Sequence, residues 1–190
     1  MAKMRLMTDR ILFAVASLLF IGLLVLGYLC FYRPMTTVIL VRHAEKNIEP
    51  GNNNPSLSPA GQQRAQELVR VLGNAGITAI YGSQYSRTQQ TAQPLANHLS
   101  LPVNQAEANN TAELVRRIKS EHQGGVVFVA GHNNTVPAII GGLGGGNFPI
   151  IPESEYDNLF VVTLYPLEKA KVVKLKYGSP LPASGQGMNP

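Results

Sequence analysis

Thr36–Lys46 reads Thr-Thr-Val-Ile-Leu-Val-Arg-His-Ala-Glu-Lys. From Thr37 to Val41 every residue is β-branched or aliphatic, and Arg42 and His43 follow at once. An unbroken apolar run of this length is a strand buried on both faces. Such a strand has no room for charge along its length. A cation and an imidazole at its end therefore mark a site.

Outward from this strand the pattern repeats. Ile77–Tyr81 (ITAIY) is a second apolar strand, followed by Ser83 and Arg87; Val126–Ala130 (VVFVA) is another, followed by Gly131 and His132. Leu101–Asn104 is a third short strand with Glu107 after it, and Leu159–Tyr165 and Lys171–Tyr177 read as two closing strands. Helical stretches lie between. Ser58 is an N-cap with Pro59 at the first helical position, and Ala65, Leu68, Val69 and Leu72 share one face. A helix runs from Ser86 to about Leu99, with Pro94 predicting a kink or a later start. Asn110 and Glu113 have capping-box spacing, and a helix spans Thr135 to Ile140. Asn47–Leu57, rich in Asn and Pro, is an exposed loop.

Strands alternating with helices, with apolar inner strands, predict an α/β three-layer sandwich on a mostly parallel central sheet. Sites in such sheets lie beyond the carboxyl ends of the strands. His43, Ser83, Arg87, Glu107 and His132 all fall there, so topology alone predicts that they converge.

The chain of 190 residues is enough for one domain and little more. Its formal charge of +5 is mostly an end effect. Lys3, Arg5, Arg10 and Arg33 stand before residue 34 against Asp9 alone, and the remainder is nearly balanced. With no basic stripe and no Trp, nucleic-acid binding is not expected. The one cysteine, Cys30, excludes a disulfide and a cysteine metal site in the globular part.

Ile11–Tyr32 carries no charge over 22 residues and holds 14 Leu, Ile, Val or Phe. At about 1.5 Å per residue it spans roughly 33 Å, against about 30 Å of bilayer hydrocarbon. The run is longer than a signal-peptide core and lacks an A-x-A site. It is read as an uncleaved single-pass anchor over residues 11–32. Lys3, Arg5 and Arg10 keep residues 1–10 in the cytoplasm, which places the catalytic domain in the periplasm or otherwise outside the cytoplasm. Residues 35–178 form the domain, and 179–190 a disordered tail.

A neutral imidazole at His43 can attack phosphorus and form a covalent intermediate. Arg42 and Arg87 match phosphate oxygens with their guanidinium forks, and His132 is a further donor. A carboxylic acid should protonate the leaving oxygen. Glu113 fits a helix cap better than that role. Glu45, two residues past His43, is placed to orient it, contact substrate or remain solvated. A rival reading makes His43, Glu45 and His132 metal ligands, but two arginines beside them disfavour a cation. His98 and His122 have no sequence partner and read as structural.

The chain resembles the histidine phosphatase (phosphoglycerate mutase-like) superfamily in four stretches. They are VRHAE at 41–45, LSPAGQQRA at 57–65, YGSQYSRTQQTA at 81–92 and VAGHNNT at 129–135. The resemblance implies a phosphomonoester hydrolase with a phosphohistidine at His43, a phosphate pocket of Arg42, Arg87 and His132, and neither metal nor cofactor. Glu45 and Ser83 are added as substrate contacts. The family's usual RHG is RHA here. The stretch from Ala92 to Gly131 is short, so the cap is minimal and the pocket open. Glu107 is the first choice for the acid and Glu113 the second. The substrate is expected to be a small phosphorylated molecule, such as a sugar phosphate or an envelope-lipid phosphate. A mutase-like phosphotransferase and a non-catalytic phosphate-binding module are the alternatives.

Overall fold

The computed structural model describes residues 2–31, 35–165 and 169–179. The chain separates into two units, one N-terminal and one from Met35 onward. The first holds a single helix, α1 (Ala2–Phe31). Within it, Arg10–Tyr28 is long and apolar enough to cross a bilayer, and its large apolar side chains from Ile11 to Tyr28 are exposed. Tyr32 and Arg33 lie outside the described residues, as does nearly all of the expected tail.

The second unit is a six-stranded sheet with helices on both faces. In chain order its elements are β1 (Thr36–Arg42), α2 (Pro59–Leu72), β2 (Ile77–Gly82), α3 (Ser86–Leu99) and β3 (Val103–Gln105). Then come α4 (Thr111–Glu121), β4 (Val126–Gly131), α5 (Thr135–Gly142), β5 (Asn158–Leu164) and β6 (Lys171–Lys176). The strand order is β3-β2-β4-β1-β5-β6. β3, β2, β4 and β1 run parallel, while β5 and β6 pair antiparallel beyond them.

Strand alternation divides the core into two layers. Val38 and Leu40 of β1 face one way with Val127 and Val129, against Leu114 and Ile118 of α4 and Ile139 and Ile140 of α5. Ile39 and Val41 face the other way with Phe128, against Leu68 and Leu72 of α2 and Leu95 and Ala96 of α3. Continuous apolar sequence in β1 and β4 is thus explained by helices on both sides.

The local signals act as their chemistry suggests. Ser58 Oγ accepts from Gly61 N, with Pro59 at the first position of α2. Asn110 Oδ1 accepts from Glu113 N at the start of α4. Pro94 neither delays nor ends α3, which begins at Ser86 and runs through it. Ala92, Leu95 and Ala96 are fully buried around it, and that packing offsets the roughly 3 kcal/mol a mid-helix proline costs. β3 begins after Pro102 rather than before it, as a residue without an N–H would dictate. His122 does have a partner, since its Nε2 lies 2.7 Å from Tyr81 Oη.

Candidate active site

The pocket forms where three neighbouring strands end together. Arg42 pairs in register with Gly131 across β1 and β4, and Gly82 pairs with Ala130 across β2 and β4. The next residues are His43, His132 and Ser83. One sheet edge therefore carries all three side chains, and His43 N donates to Gly131 O at 2.8 Å to extend the ladder. α3 adds Arg87 one residue into its first turn.

His43 is buried, and its Nδ1 lies 2.8 Å from Ala44 O. A carbonyl can only accept, so in the neutral ring Nδ1 carries the hydrogen. Nε2 is then left with a free lone pair. The ring stays neutral, because burial and then Arg42, His132 and Arg87 hold its pKa down at about 3 against the weaker opposing effect of the Ala44 carbonyl. His132 is buried too, and burial, then Arg87, Arg42 and Lys46, lower its pKa to about 4. Its Nε2 lies 2.8 Å from Ser83 Oγ, which also meets Thr88 Oγ1 at 2.8 Å. Ser83 thus fixes the His132 ring from behind.

Arg42 is only 1% exposed. Its Nη1 donates to the carbonyls of Pro152, Glu153 and Glu155 at 2.8, 2.9 and 3.2 Å. Its Nη2 pairs with the Glu153 carboxylate, and its guanidinium stacks 4.2 Å from the Tyr156 ring. Arg87 lies over the Tyr85 ring at 4.4 Å, and its Nη1 donates to Asn53 O at 3.4 Å. Burial lowers the Arg87 pKa from its usual value. The Nε–H groups of Arg42 and Arg87 are both buried without a partner. Two orphaned donors beside two neutral imidazoles are suited to an anion's acceptor oxygens.

The Asn-rich loop is a working part of this wall. Asn54 Oδ1 accepts from Ser86 N at 2.8 Å, supplying α3 with a cap that its own Tyr85 does not. The carboxylates expected at the site are placed differently. Glu45 is held by Arg64, whose Nε and Nη2 donate to it at 2.8–3.0 Å. Glu107 is exposed, accepts from Gln105 Nε2 at 3.0 Å, and lines a small hollow of about 20 Å³ with Ser83 and Gly131. Glu113 points to solvent and pairs with Arg116. The carboxyl group in contact with Arg42 is that of Glu153, which sequence reasoning passed over. Beside it, an open cleft of about 380 Å³ is lined by Gln84, Tyr85, Ala108, Asn109, Asn133, Asn134 and Thr135 together with Arg87 and His132.

Residues 38–112, from β1 to the start of α4, match the histidine phosphatase superfamily (branch 1). Over that stretch, less than half of its length, the chain is similar to that superfamily. Arg42, His43, Ser83, Arg87 and Glu107 fall within the matched histidine phosphatase region, while His132 lies beyond it. Phosphoserine phosphatase 1 of Hydrogenobacter thermophilus is 36% identical over 74 residues, 36% of this chain and 35% of that protein. The PE-PGRS family protein PE_PGRS11 of Mycobacterium tuberculosis is 42% identical over 71 residues, 32% of this chain and 12% of that protein. The chain thus spans about a third or less of the length of these curated relatives. Among solved structures, the protein histidine phosphatase SixA complexed with tungstate superposes with a TM-score of 0.60 at 16% identity, covering 74% of this chain and 96% of that one. A mycobacterial glucosyl-3-phosphoglycerate phosphatase with inorganic phosphate gives 0.60 at 14% identity, covering 75% and 97%. These two share the histidine phosphatase fold with this chain.

Proposed function

We propose that this chain is a phosphomonoester hydrolase that works through a phosphohistidine on His43. The observation that carries the reading is the Nδ1–Ala44 O contact, which leaves Nε2 as a neutral nucleophile beside two unpaired guanidinium N–H groups. In this reading Nε2 attacks phosphorus, and Arg42 and Arg87 neutralise the phosphoryl oxygens. With Ser83 Oγ donating to Nε2 of His132, Nδ1 carries the hydrogen and donates to the same oxygens. Charge on the transferring group is met by fixed donors, so the reaction asks for no metal.

The polar cleft supports a small phosphorylated substrate with a neutral, hydroxyl-rich leaving group. Around Arg87 and His132 its lining is four amides, one aromatic ring, a threonine and an alanine, without a carboxylate or lysine among them. This composition suits a sugar phosphate, and it is compatible with the phosphorylated headgroup of an envelope lipid. Residues 35–178 are the hydrolase and residues 11–32 its signal anchor, with the N-terminus cytoplasmic and the domain on the far side.

The test uses the full chain in detergent. Wild type should hydrolyse p-nitrophenyl phosphate equally with and without chelator, and rapid quench should trap an acid-labile, base-stable phosphoprotein. His43→Ala should lose both. An active His43→Ala protein refutes the mechanism. A reporter fused after Tyr177, read for periplasmic or cytoplasmic activity, tests the orientation.

A further inference from the structure

We propose that Glu153 is the proton donor to the leaving group, a role that rests on the phosphatase reading above. Three observations converge on this side chain. Its Oε2 pairs with Arg42 Nη2. Its Oε1 accepts from Asn133 Nδ2 at 2.6 Å, and Asn133 is the residue after His132. Its charge also reaches Arg87 and Tyr156, both of which respond to it electrostatically. Among the described residues, no other carboxylate pairs with Arg42 or Arg87.

The loop is built to hold it there. Ile151 N donates to Asn133 O at 3.0 Å, and three carbonyls of Pro152–Glu155 fasten on Arg42 Nη1. The backbone on either side of Glu153 is therefore fixed to β1 on one flank and to the His132 turn on the other. The side chain itself is 69% exposed, which places it at the mouth of the pocket rather than its floor. A leaving group departing opposite His43 points toward the mouth.

A phosphate bound to Arg42 shares a guanidinium with Glu153, so its oxygens lie within about 5 Å of the carboxyl group. When phosphate takes over Nη2, the carboxyl faces an anion in place of a cation. A proton brought in by the monoanionic ester is then shared with it. In the first step the His43 Nε2 lone pair bonds to phosphorus and the P–O bond to the leaving group breaks. The bonding pair goes to the leaving oxygen, which takes the proton from Glu153. In the second step a water oxygen attacks phosphorus, Glu153 takes a water proton, and the P–N bond returns its electrons to Nε2. The carboxyl group ends as it began.

The experiment compares Glu153→Gln, Glu153→Asp and Glu107→Gln in the full chain, each with p-nitrophenyl phosphate and an alkyl phosphate such as glycerol phosphate. A departing nitrophenolate needs no proton, whereas an alkoxide does. Glu153→Gln should fall at least about 100-fold in kcat/KM on the alkyl ester and less than about 10-fold on the aryl ester. It should also lose the basic limb of the pH profile on the alkyl ester, and Glu153→Asp should recover part of both. Equal losses on the two esters, or tighter phosphate binding with unchanged alkyl turnover, would overturn the proposal in favour of a carboxylate that merely covers Arg42. A larger leaving-group dependence in Glu107→Gln would overturn it in favour of Glu107. A wild type that forms no phosphoenzyme on His43 removes the phosphatase reading and this role with it. A trapped phosphoenzyme with a flat response in Glu153→Gln removes this role alone.

Discussion

The rings of His43 and His132 stand edge to face, with centroids 5.5 Å apart and planes at 67°. Two imidazoles this close, both buried and both near Arg42 and Arg87, cannot share the pocket as cations. Burial and the arginines bring their pKa values to about 3 and about 4. In the unfolded chain each takes a proton near pH 6.5. Between those limits the unfolded state binds more protons, so stability rises with pH from about 3 to about 6.5 and is level above. Urea unfolding at pH 7 and pH 4.5 should differ by about 5 kcal/mol in favour of pH 7, roughly half of it from each ring. Replacing His132 with Asn should shrink that difference. Activity should hold its acid-side level down to about pH 5, because His43 is already neutral there.

The strand-end logic was legible from sequence because it depends on period and topology. β1, β4 and β2 are apolar enough to be buried, they adjoin one another, and their next residues must meet. Helix caps at Ser58 and Asn110 were legible because capping is local chemistry. Glu153 and Tyr156 were not, because their loop has no periodicity, and its position depends on Arg42 reaching across more than 100 residues of sequence to its carbonyls. An arginine with a buried stem and three backbone carbonyls around it is a tertiary fact. Arg64 was missed for a related reason. It sits one residue from Ala65 on α2, where periodicity separates apolar from polar faces but says nothing about a cation buried at their border.

Arg87 is predicted to bind the phosphoryl group with both charge and shape. Arg87→Ala should lower kcat/KM by about 10- to 100-fold, the worth of one or two charge-assisted hydrogen bonds. Arg87→Lys should recover little, since an ammonium cannot present the guanidinium fork. The substitution to Ala also removes the charge that, after burial, most lowers the His132 pKa. NMR titration of that ring should therefore show its pKa moving upward from about 4. A histidine that titrates unchanged in Arg87→Ala would place Arg87 outside the pocket.

The Glu45–Arg64 pair ties the turn after His43 to the rest of the domain. Arg64 also donates to Tyr177 O at 3.1 Å and Ser179 O at 3.4 Å, so one guanidinium joins α2, the turn after His43 and the chain after β6. Removing one partner leaves the other buried and uncompensated. Glu45→Ala and Arg64→Met should each destabilise by about 2–4 kcal/mol, or about 5–10 °C in Tm. The double variant should cost less than the sum of the two, and a double-mutant cycle reads the difference. If Glu45 instead served mainly as a substrate contact, Glu45→Ala would raise KM and leave Tm unchanged.

Gly61 explains one letter of the sequence that periodicity treats as a flaw in α2. A Cβ built on it meets Glu45 O at 2.1 Å, and the obstacle is backbone rather than a movable side chain. The glycine is needed because α2 and the turn after His43 approach more closely than any side chain allows. The same turn is held by Ser58 N donating to Glu45 O at 2.9 Å. Gly61→Ala must push the Glu45 carbonyl away, which strains the Ala44 carbonyl one residue earlier and with it the bond that sets the His43 tautomer. An alanine in a helix is otherwise favoured over glycine by up to about 1 kcal/mol. The expected outcome therefore runs against propensity: Gly61→Ala should lower Tm, and kcat on p-nitrophenyl phosphate should fall at least about 10-fold. Gly73→Ala is the matched control, since it crowds Val69 O of α2 and His98 of α3 at the opposite end of α2 from Gly61. It should lower Tm with kcat unchanged, and a similar loss of kcat in both variants would show that the effect is general destabilisation rather than displacement of the turn after His43.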